Sequence, residues 1–294
     1  MKGILFGMFM GIAVLGNLRG AEASLDDQGE ATVKAGNFGG ALEIFNRAIA
    51  ENPGDARAYC GRAYDYTAMR DYDKAMVDCH EAIKLDPKFA KAYCVMGNIN
   101  WLKGELEDAV NDYDEALSLD PKDAEIWYNR GLYYLHRDNY KCITDTTEAI
   151  RINAKDDQAY YVRGNAYFDQ QKYGPAIEDY TTGIGLNPGY ANLYHQRGFA
   201  YLKTSEVGKA IADFSNAIQL KPRSDVEYYA RGYAYNEAQD FDKAIADLSR
   251  AIEMNPKNDG YYDQRGIAYE EKGEKELAEA DYNQAKAIKA GGGN

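Results

Sequence analysis

The stretch YYVRGNAY at residues 160–167 returns as YHQRGFAY at 194–201, YYARGYAY at 228–235 and YDQRGIAY at 262–269. A second motif trails the first at constant distance: GPAIEDYTTGIGLNP (174–188), GKAIADFSNAIQLKP (208–222) and DKAIADLSRAIEMNP (242–256). The period is 34 residues. A repeat of this length is one supersecondary unit that buries its apolar face only by stacking on its neighbours. A globule built around one central core is thereby excluded.

With each repeat numbered 1–34, eight units begin at Glu22, Ala56, Ala90, Ala124, Asp157, Ala191, Asp225 and Asp259. Position 8 is Gly except for Ala63, position 20 is Ala except for Cys142, and position 32 is Pro in six repeats. Positions 4, 8 and 11 share one stripe of a helix A at i, i+4, i+7 spacing, so Tyr160, Gly164 and Tyr167 are expected to face a partner helix B. Small residues at positions 8 and 20 let the two helices cross closely. Proline lacks the N–H that a helix interior needs, so position 32 ends helix B. Core packing at positions 4, 11, 17 and 24 accounts for most of the 26 Tyr. Arg at position 7 (62, 130, 163, 197, 231 and 265) occurs with Asp at position 23 (78, 145, 179, 213, 247 and 281). This co-occurrence predicts a planar ion pair joining the two helices, Arg197 with Asp213 among them. The third repeat keeps only Asp112, opposite Met96. The fourth lacks one residue, placed between Tyr140 and Cys142, and has Ala154 for Pro; the fifth carries Gly183 and Gly185 in helix B. Residues 140–190 are accordingly expected to change the curvature of the stack.

The pattern resembles the tetratricopeptide repeat family, whose signature is W-x2-L-G-x2-Y, then A-x3-F, then A and P. The resemblance covers nearly the whole chain as repeats 22–55, 56–89, 90–123, 124–156, 157–190, 191–224, 225–258 and 259–290. It implies an all-α fold, an α-solenoid wound as a right-handed superhelix of about eight helix-turn-helix units. It further implies that the A helices line an inner groove through positions 2, 5, 6, 9, 12 and 13. Those positions here are rich in aromatics and amides: Tyr64, Asn98, Trp101, Tyr128, Asn129, Tyr161, Asn165, Phe168, His195, Phe199, Tyr229, Tyr233 and Asn236. Exposed aromatics typify binding hot spots, and Asn can both donate to and accept from a peptide backbone. These residues are the candidate partner-binding groove, and some of the rings could instead pack between adjacent A helices. The family's clamp for a C-terminal carboxylate is not matched in three consecutive repeats: Asn98 and Asn129 fit, but Cys94 replaces Lys and Gln158 stands at the next position 2.

With 34 Lys and Arg against 47 Asp and Glu, the net charge of -13 disfavours nucleic acid and anionic membranes as partners. The opening MKGILFGMFMGIAVLGNLRGAEAS reads as a secretory signal peptide over 1–23, with an apolar run short of a membrane span and Ala21-Glu22-Ala23 at the cut. Membrane association would follow only from an uncleaved segment. The mature chain would begin at Ser24, whose S-x-x-D pattern with Asp27 caps the first helix. The expected location is exported, periplasmic or secreted, with 291–294 as a flexible tail.

His80, His136 and His195 are scattered through the frame, and no G-x-S-x-G or phosphate-loop motif occurs. The expectation is therefore no catalytic residue, no metal and no cofactor. Cys60 and Cys94 fall on adjacent A helices too far apart to bridge, so all four cysteines are expected as free thiols, the first two facing the groove. The function expected is a scaffold holding a partner polypeptide in envelope complex assembly. The alternative is a carrier for a small molecule or glycan, which stacked aromatics would also suit.

Overall fold

The computed structural model describes residues 24–291, so the expected signal segment and residues 292–294 lie outside it. The A helices are α1 (Leu25–Lys34), α3 (Ala56–Ala68), α5 (Ala90–Lys103), α7 (Ala124–Tyr134), α9 (Asp157–Asp169), α11 (Ala191–Lys203), α13 (Asp225–Glu237) and α15 (Asp259–Glu271). Between them run the B helices α2 (Phe38–Glu51), α4 (Tyr72–Leu85), α6 (Leu106–Leu119), α8 (Asn139–Ile152), α10 (Tyr173–Leu186), α12 (Val207–Leu220), α14 (Phe241–Met254) and α16 (Lys275–Gly291). No strand occurs among the described residues, nor a helix long and apolar enough to cross a membrane. From the second repeat on, every A helix starts at position 1 of the frame. The first starts behind Ser24, whose Oγ accepts from the Asp27 N–H at 3.2 Å. Gly291, expected in the tail, instead ends α16.

The helices form two compact units, one ending at Val162 and one beginning at Arg163. In each unit an A helix packs against its own B helix, and that B helix against the A helix that follows. In five repeats a ring at position 24 lies over the glycine at position 8. A Cβ on Gly164 would meet the Tyr180 ring at 2.6 Å, and one on Gly198 would meet Phe214 at 2.7 Å. Glycine thus makes room for a side chain more than for a neighbouring backbone. Phe45, Cys79 and Ile99 anchor the core of the amino-terminal unit, and Phe214 and Leu248 that of the carboxy-terminal unit.

The ion pair is present in all six repeats that carry it, always side-on through Nε and Nη2. Arg197 donates to Asp213 at 2.7 and 2.8 Å, and Arg265 to Asp281 at 2.7 and 2.8 Å. The third nitrogen reaches position 25 of the preceding repeat: Arg62 to Asn46 (2.8 Å), Arg197 to Thr181 (3.0 Å) and Arg265 to Ser249 (2.9 Å). One guanidinium therefore ties its own helix pair and the repeat before it. The tyrosines at positions 4 and 11, expected in the core, are half-buried and flank this group, with Tyr194 and Tyr201 centred 5.8 and 5.7 Å from the Arg197 carbon. In the third repeat Asn100 replaces that tyrosine and donates to Asp112 at 2.7 Å where the arginine is missing. Burial still pushes the Asp112 carboxyl up to about 6.

The missing residue of the fourth repeat is not where the sequence suggested. Helix α8 has the full 14 residues, whereas α7 has 11 and the left-handed turn residue arrives early, at His136 (φ 64°). A deletion inside a helix would rotate everything beyond it by roughly 100° and scramble the buried face, whereas one at a turn only shortens a helix. The shift also carries Tyr140 off the core stripe, leaving it 73% exposed. Ala154 costs nothing visible, because the helix end at Asn153 has the same extended backbone as the ends that precede Pro. Gly183 is a fitted residue: Leu193 occupies the space where its Cβ would stand, at 2.8 Å, and α10 runs uninterrupted.

Candidate functional site

In the amino-terminal unit the expected groove is closed by its own side chains. Tyr64, Asn98, Trp101, Tyr128 and Asn129 are all buried, which corrects the expectation that this stripe is open to a partner. Trp101 at groove position 12 meets a large residue of the next A helix: its ring packs edge to face on Tyr133, at position 10, at 5.9 Å. The amides are committed as well. Asn98 Oδ1 accepts from the Tyr113 hydroxyl at 2.6 Å, and Asn129 donates to Cys94 Sγ at 3.3 Å. Charges lock the same face, with Arg57 3.3 Å from both Asp27 and Glu30, and Lys91 3.6 Å from Glu125. The cavity left among Glu30, Phe45, Arg57, Tyr64 and Lys91 measures about 30 Å³, enough for a water and little else. Cys60 and Cys94, expected to face the groove, are buried, and burial pushes the Cys60 thiol up to about 12. None of the four cysteines forms a disulfide.

Asn165 repeats the Asn98 arrangement, accepting from Tyr180 at 2.8 Å and from Gln196 at 3.0 Å. Asn at position 9 appears where position 24 is a buried Tyr, and is replaced by Phe199 and Tyr233 opposite Phe214 and Leu248. These amides satisfy a core hydroxyl rather than wait for a ligand backbone. Asn236 likewise donates to the Gln264 carbonyl at 2.9 Å.

The carboxy-terminal unit is different. Phe168, His195, Phe199, Tyr229 and Tyr233 are half-buried, as is Tyr161, which precedes the unit boundary. Phe199, Leu202, Lys203, Tyr229, Tyr233 and Glu237 enclose a cleft of about 200 Å³ between α11 and α13. Its rings are held from behind: Phe199 lies edge to face on Phe214 at 5.2 Å and on His195 at 4.9 Å, and Tyr229 lies on Tyr261 at 4.9 Å. His195 Nδ1 is 2.7 Å from the buried Glu227 carboxylate, which fixes the imidazole against Phe199. Glu227 stands at position 3, outside the expected groove, and its partner 32 residues away gave no signal in the sequence. Phe168 packs edge to face on Tyr173 at 5.3 Å. No group of His, Cys, Asp and Glu able to hold a metal occurs among the described residues.

A stack of helix pairs with one open aromatic face defines an α-solenoid repeat protein. Tetratricopeptide repeat models match residues 56–89 and 226–258, and 191–224 and 260–291, and a TPR repeat model matches 102–136 and 164–205, together well over half the chain. The chain belongs to the tetratricopeptide repeat family. It is 32% identical over 69 residues to the small glutamine-rich tetratricopeptide repeat-containing protein of Dictyostelium discoideum, a match spanning 24% of this chain and 21% of that one. A chain of the APC/C hetero-tetramer Cut9–Hcn1 superposes with a TM-score of 0.65 at 16% identity, covering 90% of this chain and 52% of that one. PilW, a type IV pilus biogenesis factor, gives 0.64 at 17% identity over 70% and 96%, and MamA gives 0.53 at 27% identity over 57% and 92%. The first and second of these structures establish the shared fold alone.

Proposed function

We propose that this chain is a non-catalytic scaffold that holds an extended polypeptide segment on the A-helix face of its carboxy-terminal unit. One observation carries the reading. At matched frame positions Tyr64 and Tyr128 of the amino-terminal unit are buried, whereas Phe199, Tyr229 and Tyr233 stay half-buried around an open cleft of about 200 Å³. Rigid rings already held by Phe214 and Tyr261 lose little freedom on binding, which makes them suitable anchors. The apolar opening of the sequence and its Ala21-Glu22-Ala23 site support export and an envelope location, where such a scaffold would serve complex assembly. Phe199→Ala and Tyr233→Ala are each expected to weaken peptide binding by about tenfold, on the order of a moderate hot spot, measured where each variant is fully folded. Unaltered affinity in both variants, measured by fluorescence polarisation, would remove the cleft from the account. If peptides are ignored while an aromatic or glycan ligand binds, the carrier reading replaces the scaffold.

A further inference from the structure

The charge around the cleft selects the kind of segment it holds, an inference resting on the peptide-binding reading above. We infer that the cleft between α11 and α13 takes a basic side chain, Lys or Arg, from an otherwise apolar extended segment.

Three features of the cleft converge on a cation. Phe199, Tyr229 and Tyr233 line it with aromatic rings, whose faces carry partial negative charge and attract ammonium and guanidinium groups. Glu237 lines it too, exposed and as the last residue of α13, where the negative end of the helix dipole repels the carboxylate and welcomes a cation. The next A helix, α15, carries Asp263, Glu270 and Glu271 at groove positions beyond the cleft lining. Asp263 holds Lys289 at 2.7 Å and Glu270 accepts from Tyr282 at 2.7 Å, whereas Glu271 is exposed. Against these stands a single lining cation, Lys203, which ends α11 and is itself exposed. The protein already uses the same chemistry internally, where Arg197, Arg231 and Arg265 each sit between two tyrosine rings and a carboxylate, as Arg231 does with Tyr228, Tyr235 and Asp247. The cleft presents two tyrosines and a carboxylate with no arginine between them.

The test uses the full chain and three short fluorescent peptides that share one apolar sequence and differ in carrying Arg, Gln or Glu at one central position. The Arg peptide is expected to bind about tenfold more tightly than the Gln peptide, the Glu peptide more weakly than both, and the preference should shrink as salt is raised. Glu237→Gln, an exposed substitution, should reduce the ratio of Arg-peptide to Gln-peptide affinity to less than about threefold. Equal binding of Arg and Gln peptides, or tightest binding of the Glu peptide through Lys203, overturns the charge selection and leaves the peptide scaffold standing. A preference that survives Glu237→Gln overturns its assignment to this cleft. Failure of all three peptides to bind overturns the scaffold reading and this inference with it.

Discussion

Asp65 occupies position 10 of helix α3, where five other repeats place Ala, and neither of its buried oxygens has a hydrogen-bond partner. Burial pushes its carboxyl up to about 8. The folded chain therefore keeps a proton that the unfolded chain loses above about pH 4, so stability falls as pH rises from about 4 to about 8. Asp65→Ala should be the more stable protein, with an advantage that grows by about 2 kcal/mol or more between pH 5 and pH 8 in urea titrations. A constant difference across that range would mean that the carboxyl is solvated or paired. Asn165 makes the opposite case, a groove-position amide that is fully employed. Asn165→Ala should cost about 1–3 kcal/mol by removing the acceptor 2.8 Å from the buried Tyr180 hydroxyl, and adding Tyr180→Phe should return most of the loss. Additive losses in the double variant would break the link. Both residues show why the sequence misled about single sites. Asp65 has no polar partner to reveal it, and Asn165 reveals its role only when position 9 is read together with position 24.

At the scale of the helix pair, the clamp joins three elements through one side chain. Asp213 is buried, so Arg197→Met leaves a carboxylate without its counter-ion and should cost about 3–5 kcal/mol. The third repeat shows how the protein manages without arginine, with Met96 and Asn100 in place of Arg and Tyr. Adding Tyr201→Asn to Arg197→Met rebuilds that arrangement and should recover part of the loss, read as the urea midpoint. No recovery would mean that the Asn100 to Asp112 bond contributes nothing to stability. The pairing itself was legible, because every repeat with Arg at position 7 carries Asp at position 23 and the first repeat, with Gln28 and Ile44, lacks both. Its extension to position 25 was not, since Asn46, Thr181, Ser215 and Ser249 share only small size and polarity. The deletion in the fourth repeat was misplaced for a related reason. Alignment on letters weighs a turn and a helix equally, whereas the physical cost of losing a residue differs greatly between them.

At the scale of the whole molecule, periodicity made the fold readable, because a repeat that must stack leaves few other outcomes. It could not say which repeats leave their A-helix face open. That depends on whether large residues on neighbouring helices meet, as Trp101 and Tyr133 do, or stand back around a space, as Phe199, Tyr229 and Tyr233 do. The central claim is that the open face lies in the carboxy-terminal unit. Hydrogen exchange of the full chain, with and without a saturating concentration of the tightest-binding peptide, tests it most directly. Slowed exchange confined to α11 and α13 is the predicted result; protection of α3, α5 and α7 instead, or no change in α11 and α13, would contradict it.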